Sequence, residues 1–158
     1  RFLYDFQDVK HIIRFLKFNP SSAVAKILGN ELKIIAKNIP RDFDYIVPAP
    51  ISNASLFERG FNQSYILASK ISKTLNVPLL NPLSKLSPPQ SLLPPEKRVS
   101  PKIVSKIALD EDTHVLLVDD VLTTGGTALA SLNALGCKAS LLVLSSASKN
   151  FPFLLRAV

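Results

Sequence analysis

The sequence predicts an α/β fold, an open and mostly parallel sheet flanked by helices, built as one domain over residues 1–158. Three observations lead there. "HVLLV" at 114–118 is short, apolar on both faces and β-branched at Val115 and Val118, which is how an interior parallel strand reads. "TALASLNALG" at 127–136 follows with a helical pattern that ends on a glycine, and "KASLLVLSS" at 138–146 returns to strand. Strand, loop, helix and strand within about 30 residues make a βαβ unit.

The other elements follow in chain order. "FQDVKHIIRFLKF" at 6–18 is amphipathic, and "NPSSAVAKILGNELKIIAKNI" at 19–39 reads as a helix capped by Ser21 or Ser22, with Val24, Ile27, Leu28, Leu32 and Ile35 at three-to-four spacing. "DYIVPAP" at 44–50 predicts a short buried strand stopped by Pro48 and Pro50. "FNQSYILASKISKTLN" at 61–76 returns to helical spacing, with Leu67, Ile71 and Leu75 on one side and Lys70 and Lys73 towards solvent. Six of the 12 prolines fall between Pro82 and Pro101, which precludes a long helix and predicts an extended excursion or lid over 82–101 within the domain. "KIVSKIAL" at 102–109 fits either period, and "NFPFLLRAV" at 150–158 assigns no element.

Composition bounds the function. Hydrophobic residues at 47% and charged residues at 20% are ordinary for a globular chain. No stretch approaches the roughly 18 apolar residues of a membrane span, and Asp5, Asp8, Lys10, Arg14 and Lys17 interrupt any secretory core near the start. The expectation is a cytoplasmic protein with no membrane span. The single Cys137 excludes an intrachain disulfide or a cysteine-built zinc site within this chain, and reads as a small buried hydrophobe. His11 and His114 have no partners spaced for a metal, and His114 stands at a strand entrance, the wrong end for catalysis. A formal charge of +7 favours a phosphate-rich ligand or a polyanion. From Arg59 to Lys106 eight basic residues face Glu96 alone.

The chemistry concentrates in "LLVDDVLTTGGTAL" at 116–129, which holds two of the 5 glycines. In an open parallel sheet, ligands sit beyond the C-terminal ends of the strands, where loop amides and helix N-termini converge. Asp119 and Asp120 fall at that end, and Thr123, Thr124, Gly125, Gly126 and Thr127 lead into the next helix. Glycines let successive N–H groups turn inwards, threonines add hydroxyls, and the helix N-terminus adds positive potential, so the loop suits a phosphate monoester. The paired carboxylates suit the rest of a sugar phosphate, by accepting from vicinal hydroxyls or holding hydrated Mg²⁺. Neither G-x-G-x-x-G nor G-x-x-x-x-G-K-[ST] is present, so a nicotinamide or ATP-hydrolysis reading lacks support.

An apolar strand, "DD", two apolar residues and "TTGGT" together resemble the phosphoribosyl pyrophosphate motif of type I phosphoribosyltransferases. The resemblance implies that Asp119 and Asp120 engage the ribose 2- and 3-hydroxyls, with Mg²⁺ as cofactor, and that Thr123 to Thr127 wrap the 5-phosphate. It makes "VPAPI", with Ala49 and Pro50, the pyrophosphate loop, with Arg59 beside it. Thr123 occupies the slot where some purine salvage enzymes carry an aspartate, so no general base is assigned. "RGFNQS" at 59–64, with "VPAP" at 47–50 and "PQSLLPPEKR" at 89–98, is similar to the ComF/GntX-like competence family, over about Phe15 to Ser145. Arg59, Gly60, Phe61, Asn62, Gln63, Gln90, Leu93 and Arg98 match that pattern. The match implies that Gln63, Gln90 and Arg98 contact the ligand, with Lys97 and Arg98 closing over its phosphates. The chain departs from the family in lacking cysteines for its four-cysteine zinc element. It also carries Leu83 and Lys85 for paired arginines, Ser87 for a threonine and Pro101 for an asparagine.

Implied is a phosphoribosyltransferase-like protein that binds phosphoribosyl pyrophosphate with Mg²⁺ and is linked to DNA uptake in natural transformation. The alternatives are a non-catalytic factor that keeps the fold and holds single-stranded DNA alongside competence proteins, and a nucleobase salvage phosphoribosyltransferase.

Overall fold

A computed structural model describes residues 42–86, 101–146 and 154–157. The two helical stretches expected over 6–39 lie outside the described residues, as do Gln90, Lys97 and Arg98. In chain order the elements are β1 (Tyr45–Pro48), α1 (Asn53–Arg59), α2 (Gln63–Leu75), β2 (Leu83–Lys85), β3 (Ile103–Ser105), β4 (His114–Leu122), α3 (Gly126–Leu135), β5 (Lys138–Ser146) and β6 (Leu154–Ala157). The main sheet runs β1-β4-β5-β6. β1, β4 and β5 are parallel and β6 pairs antiparallel with β5. On the outer side of β1 the chain leaving α2 adds a parallel bridge, where the Ile46 N–H donates to Pro78 O and the Leu80 N–H to Ile46 O. An open sheet of mostly parallel strands is the fold class the sequence predicts.

β4 is an interior strand, with Val115 to Val118 buried, as its unbroken apolar run requires. Its alternate residues feed two cores. Leu116 and Val118 pack with Phe43, Ile46, Leu67 and Ile71 on the face covered by α2, and Val115 and Leu117 pack with Leu83, Ala128 and Leu135 on the face covered by α3. Cys137 is partly buried and packs against the second core, close to its expected role as a small hydrophobe.

α2 forms where its apolar spacing predicts, and its ends are fixed by side chains. Asn62 is the N-cap, its Oδ1 accepting from the Ser64 N–H, and Asn76 ends the helix in the left-handed region at φ 57°. Asn62 has a second task, since its Nδ2 donates to the Ala49 carbonyl at 3.0 Å and ties the start of α2 to the end of β1. Asn62→Ala is expected to cost about 1–2 kcal/mol, at the upper end for a cap because both bonds are lost. A urea titration giving an unchanged midpoint would refute it.

Three regions depart from the sequence reading. α1 was not expected; Ser52 caps it and Gly60, at φ 77°, ends it. The 82–101 excursion leaves and returns through strands, β2 pairing antiparallel with β3 in the register Leu83 to Ser105. The final residues, which showed no pattern, supply β6. His114 lies at the N-terminal end of β4 as expected. Its ring bridges the Asp42 carbonyl and the Ser140 hydroxyl, each at 3.1 Å, and packs tilted against the Phe43 ring. Among the described residues no helix is long and apolar enough to cross a membrane.

Candidate functional site

The C-terminal ends of β1 and β4 meet the N-termini of α2 and α3 at one edge of the sheet. The Ala49 N–H donates to Val118 O, so β1 leaves the sheet there while β4 runs on through Asp119 and Asp120 to Leu122. The strand is therefore longer than "HVLLV", and the two acids stand on its last residues, flanked by the space β1 has vacated. Ala49 and Pro50 are both buried in the turn out of β1.

Asp119 is partly buried and closely held. Its Oδ1 accepts from the Ser64 hydroxyl of α2 and from the Asp120 N–H, both at 2.9 Å. Asp120 Oδ1 accepts from the Val121 N–H at 2.9 Å. Burial, and after it the adjacent Asp120 carboxylate, pushes Asp119 up to about 8, against the Ser64 and backbone bonds that favour its anion. Two carboxylates side by side, one of them reluctant to ionise, form a site that gains from a cation or from hydroxyl donors.

Beyond Leu122 the loop turns outward. Thr123 and Thr124 are exposed, and Gly125 adopts φ 78°, which places it as the N-cap of α3. Here α1, α2 and α3 differ. Ser52 and Asn62 cap α1 and α2 with side-chain hydrogen bonds, whereas Gly125 caps α3 with none. The first turn of α3 thus offers bare backbone N–H groups and the positive end of its dipole where an anion would sit. Thr127 in that turn accepts from Lys85 Nζ at 3.1 Å, which brings the end of β2 onto the loop. Burial lowers the Lys85 pKa, and the Asp119 charge acts to raise it. At the other end of the excursion, Pro101 lies against Gly126, its Cδ 3.5 Å from where a Cβ would stand. Both ends of the 82–101 segment are therefore anchored on the first residues of α3.

The structure brings Asp119, Asp120, Thr123 to Thr127, Ala49, Pro50 and Gln63 to this edge. Arg59 ends α1 just ahead of the α2 cap; it is partly buried and makes no ion pair among the described residues. Lys85 and Ser64 were not singled out as site residues. Lys85 was visible as one basic residue among eight and as the replacement for one of the family's paired arginines, and Ser64 only as part of "RGFNQS". Among the described residues no group of three or more His, Cys, Asp or Glu is arranged to hold a metal ion.

No family model matches the chain. It is 27% identical over 135 residues to competence protein ComFC of Bacillus subtilis, covering 80% of this chain and 53% of that protein. It is 26% identical over 129 residues to competence protein F of Haemophilus influenzae, covering 73% and 56%. The chain thus spans about half the length of the curated relatives it matches. Among solved structures it is similar to the adenine phosphoribosyltransferase of Leishmania tarentolae, with a TM-score of 0.52 at 17% identity over 80% of this chain and 59% of that one. It is also similar to the adenine phosphoribosyltransferase of Thermoanaerobacter pseudethanolicus, with a TM-score of 0.52 at 25% identity over 77% and 69%. The chain has a type I phosphoribosyltransferase-like fold and a low-identity sequence link to ComF-type competence proteins.

Proposed function

We propose that this chain binds phosphoribosyl pyrophosphate with Mg²⁺ at the C-terminal edge of its sheet and serves DNA uptake in natural transformation. One observation carries the reading: the uncapped N-terminus of α3, entered through Thr123 to Gly125, opens directly beside the Asp119–Asp120 pair. A phosphate on the bare amides leaves the sugar it carries within reach of carboxylates that accept from hydroxyls. Lys85, bonded to Thr127, adds positive charge to the phosphate side.

The two acids fit Mg²⁺. That ion keeps most of its coordination for water and ligand oxygens and takes one or two carboxylates, and the bonds that Asp119 and Asp120 accept from Ser64 and from the Asp120 and Val121 N–H groups fall on Oδ1 atoms. When bound, the ion neutralises charge on the pyrophosphate. In a transfer reaction a nucleophile displaces pyrophosphate from C1 of the ribose, and positive charge builds on the sugar. The chain's own contribution is to position the ligand and offset charge. Asp119 and Asp120 hold the sugar, the loop holds the 5-phosphate and Arg59 meets the pyrophosphate; the family resemblance adds Gln90, Lys97 and Arg98 as ligand contacts. The low-identity similarity to the two competence proteins supports the link to DNA uptake.

A second reading has its own support. Phe57 on α1 is 94% exposed and Tyr65 on α2 is also exposed, and exposed aromatics on a basic chain suit the stacking of single-stranded DNA. The deciding experiment is calorimetric titration of phosphoribosyl pyrophosphate with Mg²⁺, using D119A/D120A as control. Saturable binding lost in a folded control supports the ligand site. No binding by the parent protein rejects it and leaves the single-stranded DNA reading.

A further inference from the structure

We propose that the Gln63 carboxamide is a specificity residue for the sugar, donating to the same ribose hydroxyl whose proton Asp119 accepts. The inference rests on the sugar-phosphate reading above and adds a contact that reading leaves open.

Gln63 is the first residue of α2 and is only 7% exposed, yet its Nε2 has no hydrogen-bond partner. Buried amides are almost always paired, so an orphaned one marks either misfit or a group awaiting a ligand. Its position favours a ligand. Gln63 heads the stripe of α2 that continues one and two turns on at Leu67 and Ile71, both buried against the sheet, so its side chain lies on the sheet side of the helix. Its neighbours in sequence fix where along the sheet that is. Asn62 bonds the Ala49 carbonyl at the end of β1, and Ser64 bonds Asp119 at the end of β4. The first turn of α2, which carries the amide, therefore stands at the sheet's C-terminal edge beside the carboxylate pair.

The donor inventory selects the ligand atom. An ionised carboxylate only accepts, so a sugar hydroxyl bound by Asp119 gives its proton and has lone pairs left to fill. An amide N–H₂ at the next position fills one. A neutral donor beside two carboxylates is poorly matched to a phosphate, and the cation that meets the phosphate, Lys85, reaches Thr127 instead. A sugar lacking that hydroxyl would leave Asp119 and Gln63 unpaired together, the arrangement by which buried polar groups reject a deoxy analogue.

The test is calorimetric titration of ribose 5-phosphate, 2-deoxyribose 5-phosphate and 3-deoxyribose 5-phosphate, each with Mg²⁺, into the parent protein and Gln63→Met. The parent is expected to favour ribose 5-phosphate by about 100-fold over one of the deoxy sugars. In Gln63→Met that ratio should fall at least about tenfold, through weaker ribose binding at nearly constant affinity for the deoxy sugar. Thermal unfolding without ligand supplies an independent arm. Met is apolar and of similar length, so removing an unpaired amide should leave the melting temperature equal or higher. Undiminished selectivity in Gln63→Met, absence of selectivity in the parent, or a melting temperature several degrees lower would each overturn the assignment. Failure of the parent to bind ribose 5-phosphate at all would instead overturn the sugar-phosphate reading, and this inference with it.

Discussion

Asp119→Asn is expected to stabilise the empty protein at alkaline pH while removing its affinity for a ribose phosphate. Asp119 is pushed up to about 8 in the fold, chiefly by burial, from an ordinary value of 3.8. Between those two values the folded state holds a proton that the unfolded chain releases, so stability falls as pH rises from about 4 to about 8 and then levels. An asparagine never ionises, and its Oδ1 can accept from both the Ser64 hydroxyl and the Asp120 N–H, which already share Asp119 Oδ1. The variant should therefore gain about 2 kcal/mol at pH 9, the full linkage being reduced by water at a partly exposed carboxyl, and almost nothing at pH 4. Denaturant titrations across pH 4–9 read this directly, and parallel curves for parent and variant would refute it.

Binding should move the other way. With its charge removed, the Asn variant loses the anion that a hydroxyl or a hydrated cation requires, and affinity should drop about 100-fold. In the parent, ligand binding that needs the Asp119 anion should strengthen up to about tenfold per pH unit as pH approaches 8, then flatten. A carboxylate kept at a cost to the empty fold is what a ligand site predicts, since function and stability compete for the same residue. A pair that only capped or turned the chain would show no such opposition.

Legibility in the sequence followed how local each signal was. β4, α3 and β5 could be read because each carries its own period and ends on its own punctuation, and α2 because Leu67, Ile71 and Leu75 recur on one face. α1 escaped notice for a physical reason. Only seven residues long, it exposes Leu56 and Phe57 and buries only Ser55, so it has no apolar stripe, and its signals are the caps Ser52 and Gly60. β2, β3 and β6 are three or four residues long, and each exists through its pairing with a distant segment. The site divides in the same way. Asp119, Asp120 and the glycine loop are contiguous and stood out together. Lys85 and Ser64 are brought to them by folding, 42 residues before Thr127 and 55 before Asp119, a juxtaposition that no local pattern records.

Gly125→Ala should damage the site without any steric clash, and the neighbouring glycine provides the comparison. A Cβ at Gly125 would meet only Leu122 Cδ1 at 3.9 Å, which is ordinary contact. The backbone is the obstacle: φ 78° is left-handed, and an L-residue there costs about 1–2 kcal/mol. Gly126 has no such φ, and a methyl there would stand 3.5 Å from Pro101, so Gly126→Ala should change stability by no more than about 0.5 kcal/mol. The functional consequence is larger than the stability loss. Gly125 sets the direction from which the chain enters α3, and with no side-chain cap in place the first N–H groups of that helix are aimed by this one residue. Relaxing it to an ordinary φ rotates those amides away from a common point, and phosphate affinity should fall at least about tenfold, measured with ribose 5-phosphate. Equal melting temperatures for the two alanine variants would show that the left-handed turn does not constrain the loop. A selective loss at Gly125, in both stability and binding, would tie the unusual backbone at this position to the anion it is shaped to receive.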